Sequence, residues 1–159
     1  MPTPVGHALA SLIVGRPVRR AWLLLILVGM APDLDLLWGR HSMETHSFGA
    51  AVLAGLVALL FTKDRRLAVF VTLAWFAHPL LDALGEDSSK PYGVMLWWPF
   101  SREHVIAPFH LFDSVYRAYW KADFWTHNAM AVAKEIAILA PVLALVNLLA
   151  RRPVKAGHG

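Results

Sequence analysis

Three short strings set histidine and carboxylate side chains at spacings that suit a bound divalent cation. They are Pro32-Asp33-Leu34-Asp35, the run from His41 through Glu44 to His46, and the pair His78 and Asp82, with His7 further upstream. His78 and Asp82 are four residues apart, so a helix places them on one face, where both reach one ion or an ion pair. Asp33 and Asp35 are two apart and share no helical face. One of them is expected to bind metal while the other orients a ligand histidine, unless the helix unwinds at Pro32. His41, Glu44 and His46 crowd together, with Thr45 and Ser47 placed to cap a helix starting near Phe48. Each string alone also reads as structure: His78 beside a kink at Pro79, the acid pair as a polar helix end, His7 as a packing histidine. Together they read as a metal site. With no cysteine in the chain, the ligands must be imidazole and carboxylate, and disulfides are excluded.

The elements that position these residues belong to a membrane protein. Hydrophobic residues make up 57% of the 159 and charged residues 16%, against about 45–50% and about 25% in soluble domains. Apolar runs cover Val5–Val14, Ala21–Trp38, Phe48–Thr62, Leu67–Leu84 and Ala129–Ala150. The first is too short to span a bilayer. The second would reach about 27 Å as a helix. The last is kinked by Pro141. The N-terminus lacks the basic region of a cleavable signal peptide. The expected fold is all-α: an integral membrane bundle of about four membrane helices plus a short N-terminal helix. Residues 1–153 form its single domain, followed by a disordered tail over 154–159.

Nine of the fifteen basic residues fall in three clusters: Arg16/Arg19/Arg20, Lys63/Arg65/Arg66 and Arg151/Arg152/Lys155. Up-and-down threading puts all three on one face, which the preference for basic cytoplasmic loops makes cytoplasmic. Every candidate ligand then lies near the opposite, non-cytoplasmic face. The net charge of +4 follows from these clusters and forms no nucleic-acid stripe. The one long connection, Gly85 to Asn128, is rich in Trp and Pro and is expected to be an interfacial lid or re-entrant loop. His104, His110 and His127 within it match no ligand spacing.

Taken in series, His7, the PDLD string, His41 and His46-Ser47, His78 and Asp82, and Tyr92–Ser101 (YGVMLWWPFS) resemble the YdjM-type inner-membrane family, described as metal-dependent hydrolases and in some bacteria as LexA-regulated. The resemblance covers roughly residues 5–101. That family usually follows its middle histidine with Arg-Gly, whereas Ser42 and Met43 follow His41 here. The order of ligands is also similar, more distantly, to zinc-dependent phospholipase C and related single-strand nucleases. That similarity implies metal ligation by His7, Asp33, His46, His78 and Asp82, with Asp35 and His41 as further candidates. The later HxxxE pair of the phospholipase pattern is missing, so one or two ions, zinc first, are expected rather than three.

These likenesses imply hydrolysis of a phosphoester or lipid-like substrate at the membrane. Glu44 or Asp35 would accept the proton of a metal-activated water, and Arg40 and Arg102 would neutralise phosphate. Trp97 and Trp98 would admit a substrate from the bilayer. The expected partners are membrane lipid and a small or lipid-like substrate, not nucleic acid. A phosphatase of the PAP2 type is rejected, because in SREHVIAPFHLFD (101–113) the histidine falls two places late. A non-enzymatic metal-binding or transport protein is the alternative. It predicts ionisable residues throughout the membrane depth, whereas Leu23–Met30 and Val52–Phe61 carry none.

Overall fold

Short polar side chains start the helices, as capping chemistry requires. Thr3 Oγ1 accepts from Val5 N, Ser47 Oγ from Ala50 N and an Asp64 carboxylate oxygen from Leu67 N. In a computed structural model that describes residues 1–38, 41–88 and 90–150, the helices are α1 (Pro4–Val14), α2 (Trp22–Met30), α3 (Phe48–Thr62), α4 (Arg65–Ala83) and α5 (Phe124–Leu149). The fold is all-α, with no strand among the described residues. The tail 154–159 lies outside them.

The span expected over Ala21–Trp38 is a shorter helix flanked by two 3-10 segments, Arg16–Ala21 and Ala31–Trp38. The α-helix stops at Met30 and gives way to the 3-10 segment around Pro32, which supplies no backbone N–H. With α2 cut short and α3 only 15 residues long, two helices among the described residues, α4 and α5, rather than four, are long and apolar enough to cross a membrane.

α4 is the hub: α3, α2 and α1 pack on it, and α5 packs on α1. Small residues allow the close approach. A Cβ at Gly29 would overlap Ser11 Oγ of α1, and one at Gly55 would overlap Thr72 Oγ1 of α4. The interior cluster is modest, formed by Leu25, Val71 and Ala74. Large apolar side chains face outward instead, among them Leu23 and Leu27 of α2, Leu60 and Phe61 of α3, and Leu145 and Leu148 of α5. His7, His46, His78, Asp35, Asp82 and Glu135 are buried. This is the distribution expected where lipid is the solvent and small residues let helices meet.

The basic segments gather at one end. Arg66 Nη2 donates to Pro17 O at 3.1 Å, and Arg16 and Arg19 border the last turns of α5. The long connection docks at the other end. Phe48 N donates to Leu96 O and Gly49 N to Trp98 O, both at 2.9 Å, and Met95 N to Ser42 O at 3.1 Å. Val94, Met95, Leu96 and Phe112 are buried there, so this segment is folded onto the bundle.

Candidate metal centre

Four structural units deliver side chains to one point. α1 brings His7, the Ala31–Trp38 turn brings Asp33 and Asp35, the loop before α3 brings His41 and His46, and the last turns of α4 bring His78 and Asp82. Trp75 Nε1 donates to Thr45 O at 2.9 Å, which ties the His41–His46 loop to α4. Ser47 begins α3 immediately afterwards as its N-cap.

Backbone and carboxylate partners fix how the two deepest rings face. His78 Nδ1 lies 2.7 Å from Gly29 O. A carbonyl only accepts, so Nδ1 carries the hydrogen and the Nε2 lone pair points away from it. His46 Nδ1 lies 3.1 Å from Asp35 Oδ2, which imposes the same tautomer. Asp35 is itself held by His41 Nδ1 at 2.8 Å and by the Thr45 hydroxyl, which donates to it at 2.7 Å.

The atoms left facing inward all present lone pairs. His46 Nε2 and His78 Nε2 are 3.2 Å apart. Asp33 Oδ1 is 3.6 Å from the first and 3.4 Å from the second. Asp82 Oδ2 is 3.5 and 3.2 Å from them. Tetrahedral ligands on bonds of about 2.0–2.1 Å have edges of about 3.4 Å. Asp82 Oδ2 is also buried without a hydrogen-bond partner among the described residues, a costly state that a cation relieves. The donor set therefore fits a divalent metal.

His7 extends the cluster. Its ring stacks on His78 with centroids 3.6 Å apart, and its Nε2 lies 3.4 Å from Asp82 Oδ1. Among the described residues two triads could hold metal ions: His7, His78 and Asp82, and Asp33, His41 and His46. Burial raises the cost of ionising Asp33 and Asp35. The imidazoles of His46 and His78 beside Asp33, and hydrogen bonds from His41, His46 and Thr45 to Asp35, outweigh it and hold both carboxyls well below the usual range. Burial likewise disfavours a charged His46, yet Asp33 and Asp35 raise its pKa overall.

The chain belongs to the YdjM inner membrane protein family. The family's sequence profile matches residues 3–157, nearly the whole chain and well beyond the strings that carried the resemblance. No curated protein and no solved structure matches it.

A cavity of about 530 Å³ opens beside the centre, and Asp33, His41 and Asp82 form part of its wall. The segment from Ser114 to Ala118, Lys121 and Asp87 also line it. Of the residues expected to bind substrate, Arg102, Trp97 and Trp98 are absent from this wall, and Arg40 lies outside the described residues. Arg102 is exposed, in the loop that the Val94–Val105 bridge closes. Glu44 is absent from the wall and from both triads, while its carbonyl accepts from Ser47 Oγ. The sequence reading passed over Tyr116, Arg117 and Lys121. The signal was present in the alternation of aromatic and basic residues through Val115–Lys121. Of the three histidines expected in the loop, His127 lies in α5, which begins at Phe124 and so shortens the connection, and stacks on Tyr116, while His110 is exposed.

Proposed function

We propose that this chain is a membrane-embedded, metal-dependent hydrolase that acts on a phosphoester, either lipid-borne or small. The observation that carries the reading is the convergence of His46 Nε2, His78 Nε2, Asp33 Oδ1 and Asp82 Oδ2 at separations of 3.2–3.6 Å, at the edge of a cavity lined by Arg117 and Lys121. A divalent ion held there would supply Lewis acidity toward a phosphoryl oxygen and make water more acidic.

The chain's own residues supply the remainder. Asp35 and Gly29 O orient the two ligand histidines. Arg117 and Lys121 hold the anionic group of the substrate. His41, with Nδ1 on Asp35 and its ring on the cavity wall, is placed to take and return a proton. Asp82 faces the four-atom set with one oxygen and His7 with the other, so it would be shared if a second ion sits at the His7 triad. The family's inner-membrane assignment and the basic end of the bundle support an orientation with that end cytoplasmic and the centre toward the other face.

The test is purification in detergent, elemental analysis of bound metal, and turnover across monoester, diester and phospholipid substrates, for the wild type, His78→Ala and Asp82→Ala. The reading expects metal and phosphoester turnover in the wild type and loss of both in the variants. Metal content unchanged in both variants overturns the site. Bound metal without turnover on any phosphoester overturns the hydrolase and leaves a metal-binding membrane protein.

A further inference from the structure

A second candidate site lies at the opposite end of the bundle and uses none of the metal-centre residues. There, α1 and the turn after it diverge from α5 and leave two adjoining cavities of about 410 and 570 Å³, within the size range of ligand pockets. Arg16 and Arg19 line both. Arg16 is half-buried, and its Nε is shielded from solvent with no hydrogen-bond partner among the described residues. A guanidinium N–H in that state calls for an acceptor, and among the described residues neither cavity wall contributes an acidic side chain. Asn147 adds a neutral hydrogen-bonding group to the first cavity, and Leu143, Val146 and Leu149 of α5 supply apolar walls.

The turn carrying the arginines is held in place from outside. Arg66 Nη2 donates to Pro17 O, and Val18 breaks the helical path with φ −118° and ψ 42°. α5 is long and apolar enough to span, with 17% of its most apolar window buried in the protein. Its surface beside the arginines is therefore open to acyl chains.

We infer that this basic cleft binds an anionic phospholipid, with the phosphate on Arg16 and Arg19 and the acyl chains along Leu143, Val146 and Leu149. Basic pockets between helices at a cytoplasmic face suit such head groups, and a guanidinium matches a phosphodiester in two-point geometry. Free phosphate would satisfy the charges but leave the apolar walls without a partner.

Native mass spectrometry of the full chain in detergent, with equal phosphatidylglycerol and phosphatidylcholine, tests this. The expected result is retention of phosphatidylglycerol over phosphatidylcholine, reduced about fivefold by Arg16→Gln and by Arg19→Gln. Arg65→Gln, which removes an equal charge at the same end but outside both cavities, leaves the preference intact. Asn147→Trp, which fills the first cavity without touching charge, lowers retention as well and keeps the test open if Arg16→Gln does not fold. Equal retention of the two lipids, or equal loss in Arg65→Gln, overturns the site. Displacement of the lipid by inorganic phosphate overturns the lipid assignment.

Discussion

Glu135, buried in α5, accepts hydrogen bonds from Thr3 N and Thr3 Oγ1, each at 2.5 Å. Thr3 caps α1 in turn, so one carboxylate fixes the end of the helix that carries His7 a turn later. Its neighbour Lys134 reaches outward to Asp113 at 2.6 Å, where both side chains are about 40% exposed. Glu135→Ala leaves two donors unmatched, at about 1–3 kcal/mol each, whereas an exposed pair such as Lys134–Asp113 contributes about 1 kcal/mol at most. The melting midpoint in detergent is expected to drop by several degrees for Glu135→Ala and much less for Lys134→Ala. Equal midpoints for the two variants would refute the capping role.

Asp35 bonds three side chains, including the Nδ1 that sets the direction of His46. Replacing an orienting carboxylate usually lowers metal affinity by about 10–100-fold, less than loss of a ligand. Asp35→Asn should therefore retain metal at saturation but lose it to a weaker chelator, while Asp82→Ala binds none. Chelator competition separates the two, and Asp35→Asn behaving like Asp82→Ala would make Asp35 a ligand.

Protons and metal compete for the same lone pairs. The raised pKa of His46 gives the metal-free protein stability that is complete below about pH 6.5 and is lost as pH climbs through the raised value. The lowered pKa values of Asp33 and Asp35 give stability present above about pH 3.9 and lost only as pH falls through their depressed values. Between pH 6 and 9 the metal-free melting midpoint should therefore fall, while metal affinity should rise. Two melting series, with and without saturating zinc, check this. Parallel curves would show that protons and metal do not share the site.

Arg117 lines the cavity and Arg102 does not. Arg117→Ala should raise KM for a phosphoester about tenfold or more, as loss of a charge-assisted bond implies, with metal content unchanged. Arg102→Ala should leave both constants near the wild type. The reverse pattern in steady-state kinetics would move the anion site to the Trp97–Arg102 segment.

What the sequence revealed depended on how local the controlling physics is. The i, i+4 spacing of His78 and Asp82 needs only the period of a helix, and Ser47 as a cap needs only its neighbours. The orienting bonds of Asp35 require the Thr45–His46 loop to fold back over the Ala31–Trp38 turn, which no spacing encodes. α2 was overextended because Leu34, Leu36 and Leu37 continue the apolar run past Pro32, and apolarity outweighed the break. Arg102 adjoins the Trp97–Trp98 pair in sequence, whereas Arg117 reaches the cavity wall only through the folding of the long connection.

The first turns of α5 grip the cavity wall that carries Arg117. His127 donates from Nε2 to Ser114 O at 2.7 Å and stacks on Tyr116 with centroids 3.6 Å apart. Asn128 Oδ1 accepts from Tyr116 N at 2.9 Å, and its Nδ2 donates to Tyr116 O at 3.0 Å. The Asn128 amide thus satisfies both backbone groups of the residue before Arg117, and Ala at this position leaves both unpaired within the protein. Asn128→Ala should loosen Tyr116 and Arg117, raising KM several-fold and weakening inhibition by inorganic phosphate, with kcat and bound metal close to wild type. Asn128→Asp keeps the acceptor for Tyr116 N but loses the donor to Tyr116 O, so it should fall between the two. A joint loss of kcat and metal in Asn128→Ala would mean that the residue supports the bundle as a whole, and unchanged KM would mean that Arg117 is held without it.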